Sequence, residues 1–432
     1  MKKLLFLTIR HFFPHLNEWF EEVGDERQEG KIKYSLRYLL NIGLLMFLLK
    51  LGSRRQINYK FKTAKFIKNF NLITGSKKKD LAHSDTFGRM MKKVKVEGIE
   101  RVRKGMINSL IRKRVLEKFR LGGKYYMIAL DGTGVLTFKK KHCPYCLEKK
   151  VKGQKIWYHN ILEAKLVCGN GMALSVGSEI IDNRNYDKDR SKQDCELKAF
   201  YRLAKKLKKW FPQLTICLLL DSLYLSGPVK KLCTAYNWKF ITTFKEGSMP
   251  DMYREYMALK SLQRENRATL KGKELVREYQ WVEGVGNGDI EFNAIECKEE
   301  KRDGEVHRFL FATNFEINGL NYEEILKGGR LRWKIENEGF NMQKNGGYEM
   351  EHLWSKNCME AFKYYLLLQI AHIINQLMEK SCFLASKINK VIGGIKSIAF
   401  LLLEDLRNTI FTQKEIINLL NRKFQYRLSN PP

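Results

Sequence analysis

The order of hydrophobic patterns between Lys124 and Gly247 restricts the possible folds more than any other feature of the chain. KYYMIALDGTG (124–134) is a short apolar run ending in an aspartate and a glycine turn, the pattern of a buried strand. WYHNILEAKLVCG (157–169) and MALSVGSEII (172–181) read as two strands joined by the tight turn Asn170-Gly171. KQDCELKAFYRLAKKLKKWF (192–211) is an amphipathic helix, and TICLLLDS (215–222) is a buried strand that again ends in aspartate. PVKKLCTAYN (228–237) reads as a helix and WKFITTFKEG (238–247) as a strand. A tight hairpin enforces antiparallel pairing, whereas a helical crossover returns the chain parallel.

Three antiparallel strands followed by two parallel additions is the order of an RNase H-like sheet, so the expected fold class is α/β with an RNase H-like mixed sheet core. Residues 1–120 read as an all-helical, basic, DNA-binding region, with apolar residues at three- and four-residue spacing and His83-Ser84-Asp85 as a helix N-cap. The core's first part is expected over 121–247, and a polar, β-rich insertion interrupts it over 248–307. The final core strand and an active-site helix are expected over 308–357, and a helical C-terminal region over 358–432.

The charge balance selects the partner. Lys and Arg total 79 against 47 Asp and Glu, a formal +32 spread over all 432 residues. Such an excess opposes folding by self-repulsion unless a polyanion offsets it, and its spread suits a long nucleic-acid groove better than a membrane patch. YLLNIGLLMFLLKLG (38–52) is the most apolar stretch, but it is shorter than a membrane span and contains Asn41, so a buried helix is expected. The N-terminal MKKLLFLTIRHFFPHL lacks a small-residue cleavage site. Nine irregularly spaced cysteines read as reduced thiols of a cytoplasmic, nucleoid-associated protein.

Asp131 and Asp221 each end an inferred buried strand. Either alone is ordinarily a turn residue or a helix cap. In a sheet of this order the first and fourth strands are neighbours, so the two carboxylates would converge. Converging carboxylates repel unless a cation lies between them, and oxygen donors suit Mg²⁺ or Mn²⁺. Two such ions support phosphoryl transfer, a reaction that calls for a third carboxylate. RLRWKIENEGFNMQKN (330–345) can supply it, through Glu336 or Glu338. Helical periodicity does not choose between them, and an exposed Arg–Glu pair at i,i+4 is the plainer account of either.

RWKIE (332–336) resembles the tyrosine–arginine–glutamate–lysine signature of bacterial DDE insertion-sequence transposases, with Arg332, Trp333 and Glu336 matching. IALDGTG and LLLDSLY are similar to that family's two aspartate motifs, and the resemblance spans roughly residues 84–378. It departs at Gly329 and Gln343, where the signature has tyrosine and lysine; Lys344 lies one position on. The resemblance selects Glu336 and implies a catalytic, metal-binding triad of Asp131, Asp221 and Glu336 holding two Mg²⁺ or Mn²⁺ ions. It also implies phosphate contacts from Arg332, Lys334 and Lys344, and a base-stacking role for Trp281, although a lone tryptophan in a strand is more often core.

Lys92 and Lys93 are expected on the DNA-binding surface. Asp194 and Glu196, at the start of the 192–211 helix, are sufficiently explained by the helix dipole. HCPYC (142–146) contains a single CxxC; His159 or Cys168 would have to complete a zinc site, and reduced cysteines in a turn are the simpler expectation. The function implied is a transposase cleaving double-stranded DNA at the terminal inverted repeats of an insertion sequence and joining the ends to target DNA, as a homodimer on DNA and without a membrane. The alternatives are an RNase H-like nuclease without strand transfer and a catalytically inactive DNA-binding protein.

Overall fold

The computed structural model describes residues 1–185, 193–286, 290–387, 391–421 and 425–430. The expected helix from 192 therefore has its first residue outside the described set, as do residues 287–289 of the expected insertion.

Helices α1 (Lys2–Phe12), α2 (Leu16–Glu21), α3 (Leu36–Leu48), α4 (Ile57–Lys60), α5 (Ala64–Thr74), α6 (Ser84–Lys93) and α7 (Val96–Arg112) precede the first strand. Ser35 caps α3, its hydroxyl accepting from Tyr38 N at 3.3 Å, and His83 caps α6 through Nδ1 at 3.2 Å from Asp85 N. Nearly every α3 side chain is buried. Its polar interruption, Asn41, is satisfied by Asn17 Oδ1 and the Arg37 carbonyl, both at 2.9 Å. A buried amide with its hydrogen bonds made is tolerated in a core, so the apolar run folds as an interior helix. No helix among the described residues is long and apolar enough to cross a membrane.

The chain then builds a mixed α/β unit. Its strands are β1 (Tyr126–Phe138), β2 (Leu147–Val151), β3 (Gln154–Val167) and β4 (Ala173–Ile181), followed by α8 (Glu196–Trp210), β5 (Ile216–Leu220), α9 (Gly227–Tyr236) and β6 (Lys239–Thr243). Next come α10 (Pro250–Leu262), β7 (Arg267–Lys271), β8 (Leu275–Val285), β9 (Phe292–Lys301) and β10 (Val306–Thr313). All ten strands share one sheet in the order β2-β3-β1-β5-β6-β10-β9-β8-β7, with β4 also paired to β3. β1 and β4 run antiparallel to β3, while β5 and β6 are parallel additions next to β1.

Two local expectations need correction, and one hairpin adds to the expected order. The lysine-rich segment after β1 forms the β2–β3 hairpin, turning at Lys152 and Gly153, both at positive φ. β2 is exposed beyond Leu147, so no apolar alternation marks it in the sequence. The polar stretch after β6 begins with the helix α10, started by Pro250 and burying Tyr256 alone among its side chains. β7, β8 and β9 extend the central sheet through β10, which pairs antiparallel with β6.

After β10 come α11 (Tyr322–Arg330), α12 (Met342–Asn345), α13 (Cys358–Glu379), α14 (Ile395–Asn408) and α15 (Gln413–Asn421). The segment between α11 and α12, expected as a regular helix, is a 3₁₀ turn at Leu331–Trp333 followed by π-helical backbone over Ile335–Asn341. π-Helical hydrogen bonding widens the turn and redirects side chains relative to α-helical spacing. Helix α13 is buried along most of its length between the sheet and α3. Lys165 on β3 donates to Gln369 Oε1 at 2.7 Å, and Gln376 exchanges hydrogen bonds with the backbone of Ala173. Unmaking any of these buried contacts would strand a polar group, so they fix the register of α13 on the sheet.

Candidate active site

The β1–β5 ladder sets the first two carboxylates. Ala129 pairs with Leu219 on these parallel strands, and Asp131 and Asp221 each follow two residues later. β5 ends at Leu220, and Asp221 turns the chain, its Oδ1 accepting from Leu223 N at 2.9 Å. β1 continues along β3, with Asp131 opposite Glu163.

The third carboxylate arrives from the irregular helix. Arg332 is buried, donates from Nη2 to Glu336 Oε1 at 2.8 Å, and places Nη1 3.8 Å from Asp131 Oδ2. One guanidinium thus spans a strand carboxylate and a helix carboxylate. Glu338 faces elsewhere: it pairs with Lys334 at 3.0 Å and approaches the β3–β4 turn at Gly171.

A fourth carboxylate, Glu196 at the start of α8, faces the same cluster. Its Oε1 accepts from the Tyr224 hydroxyl at 2.7 Å. Its Oε2 lies against Gly132, where any Cβ would collide with it. Asp194, its near neighbour in sequence, instead pairs with Arg202 at 2.8 Å. Dipole preference alone accounts for an acidic residue at a helix start and singles out neither of the two. Glu196 becomes visible as a site residue only when β1 and the turn after β5 are placed beside α8.

The electrostatics follow. Burial pushes Asp131 up to about 7, with Glu336 and Glu196 adding to the rise and Arg332 opposing it. Burial also raises Glu196, opposed by the Tyr224 hydrogen bond and reinforced by Asp221. Arg332 acts on Asp131, Glu336 and Glu196, and Asp221 acts on Glu196, which leaves excess negative charge in a partly desolvated place. A hard divalent cation with oxygen ligands relieves such a charge set, and the donor chemistry of Asp131, Asp221, Glu336 and Glu196 fits Mg²⁺ or Mn²⁺.

The remaining predicted site residues fall in different places. Trp333 is half exposed beside the guanidinium of Arg332, which lies 5.1 Å from its ring centre. Lys344 is paired with Glu351 at 2.8 Å. Gln343, where the signature has lysine, is fully buried and bonds Gln369 and His372. Trp281 is corrected: it is 7% exposed and stacks on Tyr322 at 5.4 Å within the core, so its ring is not presented to a base. Lys92 and Lys93 are exposed and border a groove of about 750 Å³ whose rim also carries Arg27, Lys31, Lys33 and Arg89.

No family model matches the chain, and no curated protein matches it in sequence. Among solved structures it is similar to the piggyBac transposase synaptic complex with hairpin DNA, with a TM-score of 0.42 at 9% identity. That match covers 98% of this chain and 85% of the other.

Proposed function

We propose that this protein is a DDE-type transposase that cleaves double-stranded DNA at the ends of an insertion sequence and joins them to target DNA. The observation that carries the reading is the Arg332 bridge between Asp131 on β1 and Glu336 beyond α11. It is supported by the sheet, in which the core strands β4, β3, β1, β5 and β6 stand in RNase H-like order. The +32 charge supports a DNA substrate.

Asp131, Asp221 and Glu336 would hold two Mg²⁺ or Mn²⁺ ions, with Glu196 as an additional oxygen donor. When bound, such ions activate an attacking oxygen and neutralise the leaving one. The chain's own groups do the rest. Arg332 orients Glu336 and brings positive charge to where phosphate charge develops. Tyr224 holds Glu196, and Gly132 lets that carboxylate approach β1. Trp333, rather than Trp281, offers an exposed indole beside the site for stacking on a displaced base. The Lys92–Lys93 groove supplies sequence-independent phosphate contacts. A homodimer on DNA would bring both ends to one reaction.

The test is a cleavage and joining assay on DNA carrying the element's terminal repeats, with Mg²⁺ and with a pre-cleaved end. Joined product from the pre-cleaved end supports a transposase. Cleavage without joining reassigns the chain to a nuclease, and DNA binding without any Mg²⁺-dependent cleavage reassigns it to a DNA-binding protein.

A further inference from the structure

The CxxC of the β1–β2 loop does not stand alone. Cys143 Sγ lies 3.5 Å from Cys146 Sγ and 3.3 Å from His159 Nε2, and Cys146 Sγ lies 3.4 Å from the same nitrogen. One ligand atom from each of Cys143, His159 and Cys358 lies within 4.8 Å of the other two. His159 is 1% exposed on β3, and Cys358, 7% exposed, is the first residue of α13. Cys143 and His159 thus belong to two overlapping sets, one completed by Cys146 and the other by Cys358, which draws three thiols and one imidazole together from three separated chain segments.

We propose that Cys143, Cys146, His159 and Cys358 form a structural zinc site. With Zn–S near 2.3 Å and Zn–N near 2.05 Å, tetrahedral geometry sets S···S at about 3.8 Å and S···N at about 3.5 Å, close to the spacings among Cys143, Cys146 and His159, and Cys358 would close on the ion from within 4.8 Å of Cys143 and His159. Three sulfurs and one nitrogen select zinc over hard cations, which prefer oxygen, and over iron–sulfur clusters, which ordinarily take four thiolates. A Cys143–Cys146 disulfide is the competing product, and it requires the sulfurs to close to about 2.05 Å.

Binding balances as Zn²⁺ plus three thiols giving a Zn(thiolate)₃(imidazole) centre of charge −1 and three protons released to solvent. Asp182 and Arg184, paired with each other at 2.8 Å, act in opposite senses on both His159 and Cys358, and Cys358 sits at the positive end of the α13 dipole, which suits a thiolate. The knuckle is already braced: Asn183 Nδ2 donates to the Cys146 carbonyl at 3.1 Å and Asn183 N to the Tyr145 carbonyl at 3.0 Å. His142 bonds the Lys356 carbonyl just before α13. The centre would tie the exposed Lys139–Lys141 loop, which continues β1 beyond Asp131, to β3 and to α13. Zinc binding here does not depend on the catalytic reading.

The full-length protein, purified under reducing conditions without chelator, should contain about one zinc per chain by elemental analysis. Cobalt exchanged into it should show the intense visible bands of a tetrahedral site and thiolate-to-cobalt charge transfer. Cys143→Ser and Cys358→Ser should each lose the metal or the tetrahedral spectrum, whereas Cys382→Ser, at an exposed cysteine, should keep both. The cobalt spectrum of the unaltered chain reads the site even where a variant fails to fold. Zinc-free protein that gives no tetrahedral cobalt spectrum would overturn the site, as would a Cys143–Cys146 disulfide in the native protein. Zinc and spectrum retained in the Cys143→Ser/Cys146→Ser double variant would overturn it equally.

Discussion

The Tyr224 hydroxyl donates to Glu196 Oε1 at 2.7 Å, joining the turn that follows β5 to the start of α8. Asp221 begins that turn, so the same few residues place a strand-end carboxylate and hold a helix-borne one. The pair gives Glu196 a fixed orientation toward Gly132 and Asp131 that a solvated helix-start glutamate would lack.

Removing that hold should weaken the site without dismantling it. Tyr224→Phe is expected to lower Mg²⁺-dependent cleavage by about tenfold, the usual cost of losing an orienting partner of a ligand. Glu196→Gln should cost more and raise the Mg²⁺ concentration for half-maximal rate. Both are measured by titrating Mg²⁺ at fixed DNA, and an unchanged midpoint in Glu196→Gln would remove it from the metal-binding set.

Glu336 and Glu338 lie two residues apart and face different partners, Arg332 and Lys334 respectively. Glu336→Gln should abolish cleavage while DNA binding persists. Glu338→Gln should retain most activity, because it loses an ion pair remote from Asp131. The reverse pattern in a cleavage assay would exchange their roles.

Asp131 links the site to pH. Its folded-state value of about 7 exceeds the unfolded value near 3.8, so the folded protein holds this proton more tightly. Stability of the metal-free chain should therefore fall as pH rises from about 4 through about 7. Asp131→Asn should abolish cleavage but remove that penalty. It should stabilise the metal-free fold above pH 7 by on the order of 2–4 kcal/mol, and by almost nothing near pH 3. Denaturant melts of both proteins across this range check the crossover. Saturating Mg²⁺ should narrow the gap at high pH by stabilising the carboxylate form of the unaltered protein.

Lys92 and Lys93 border the basic groove and are exposed, so their contribution should be electrostatic and indifferent to sequence. Replacing both with alanine should weaken binding to specific and random duplexes alike. It should also reduce the slope of log affinity against log salt by about 2. A loss confined to one sequence would place these lysines at base edges instead.

The five core strands were legible because burial dictates their composition: runs such as ICLLL have no other stable place, and Asn170-Gly171 admits little besides a tight turn. β2 and α10 were not, since exposed edges and solvated helices carry no periodic apolar signal. The sequence leaves both readings of Trp281 open for a related reason. Its type and strand position are compatible with a stacking platform, and only the packing of Tyr322 against its ring makes it core.

What the sequence determined by itself is local: which segments must be buried, where strands end in aspartate, and a formal +32 charge from which a polyanionic partner is expected. Tertiary structure decided which distant groups meet. Arg332 facing Asp131 as well as Glu336, Glu196 reaching the β1 glycine, and Cys358 joining a CxxC residue from the β1–β2 loop all depend on strand order and on how α8, α13 and the π-helical segment dock. Hydrophobic periodicity sets which face of an element is buried, but side-chain convergence depends on the docked positions of several elements at once. No single segment of sequence encodes that.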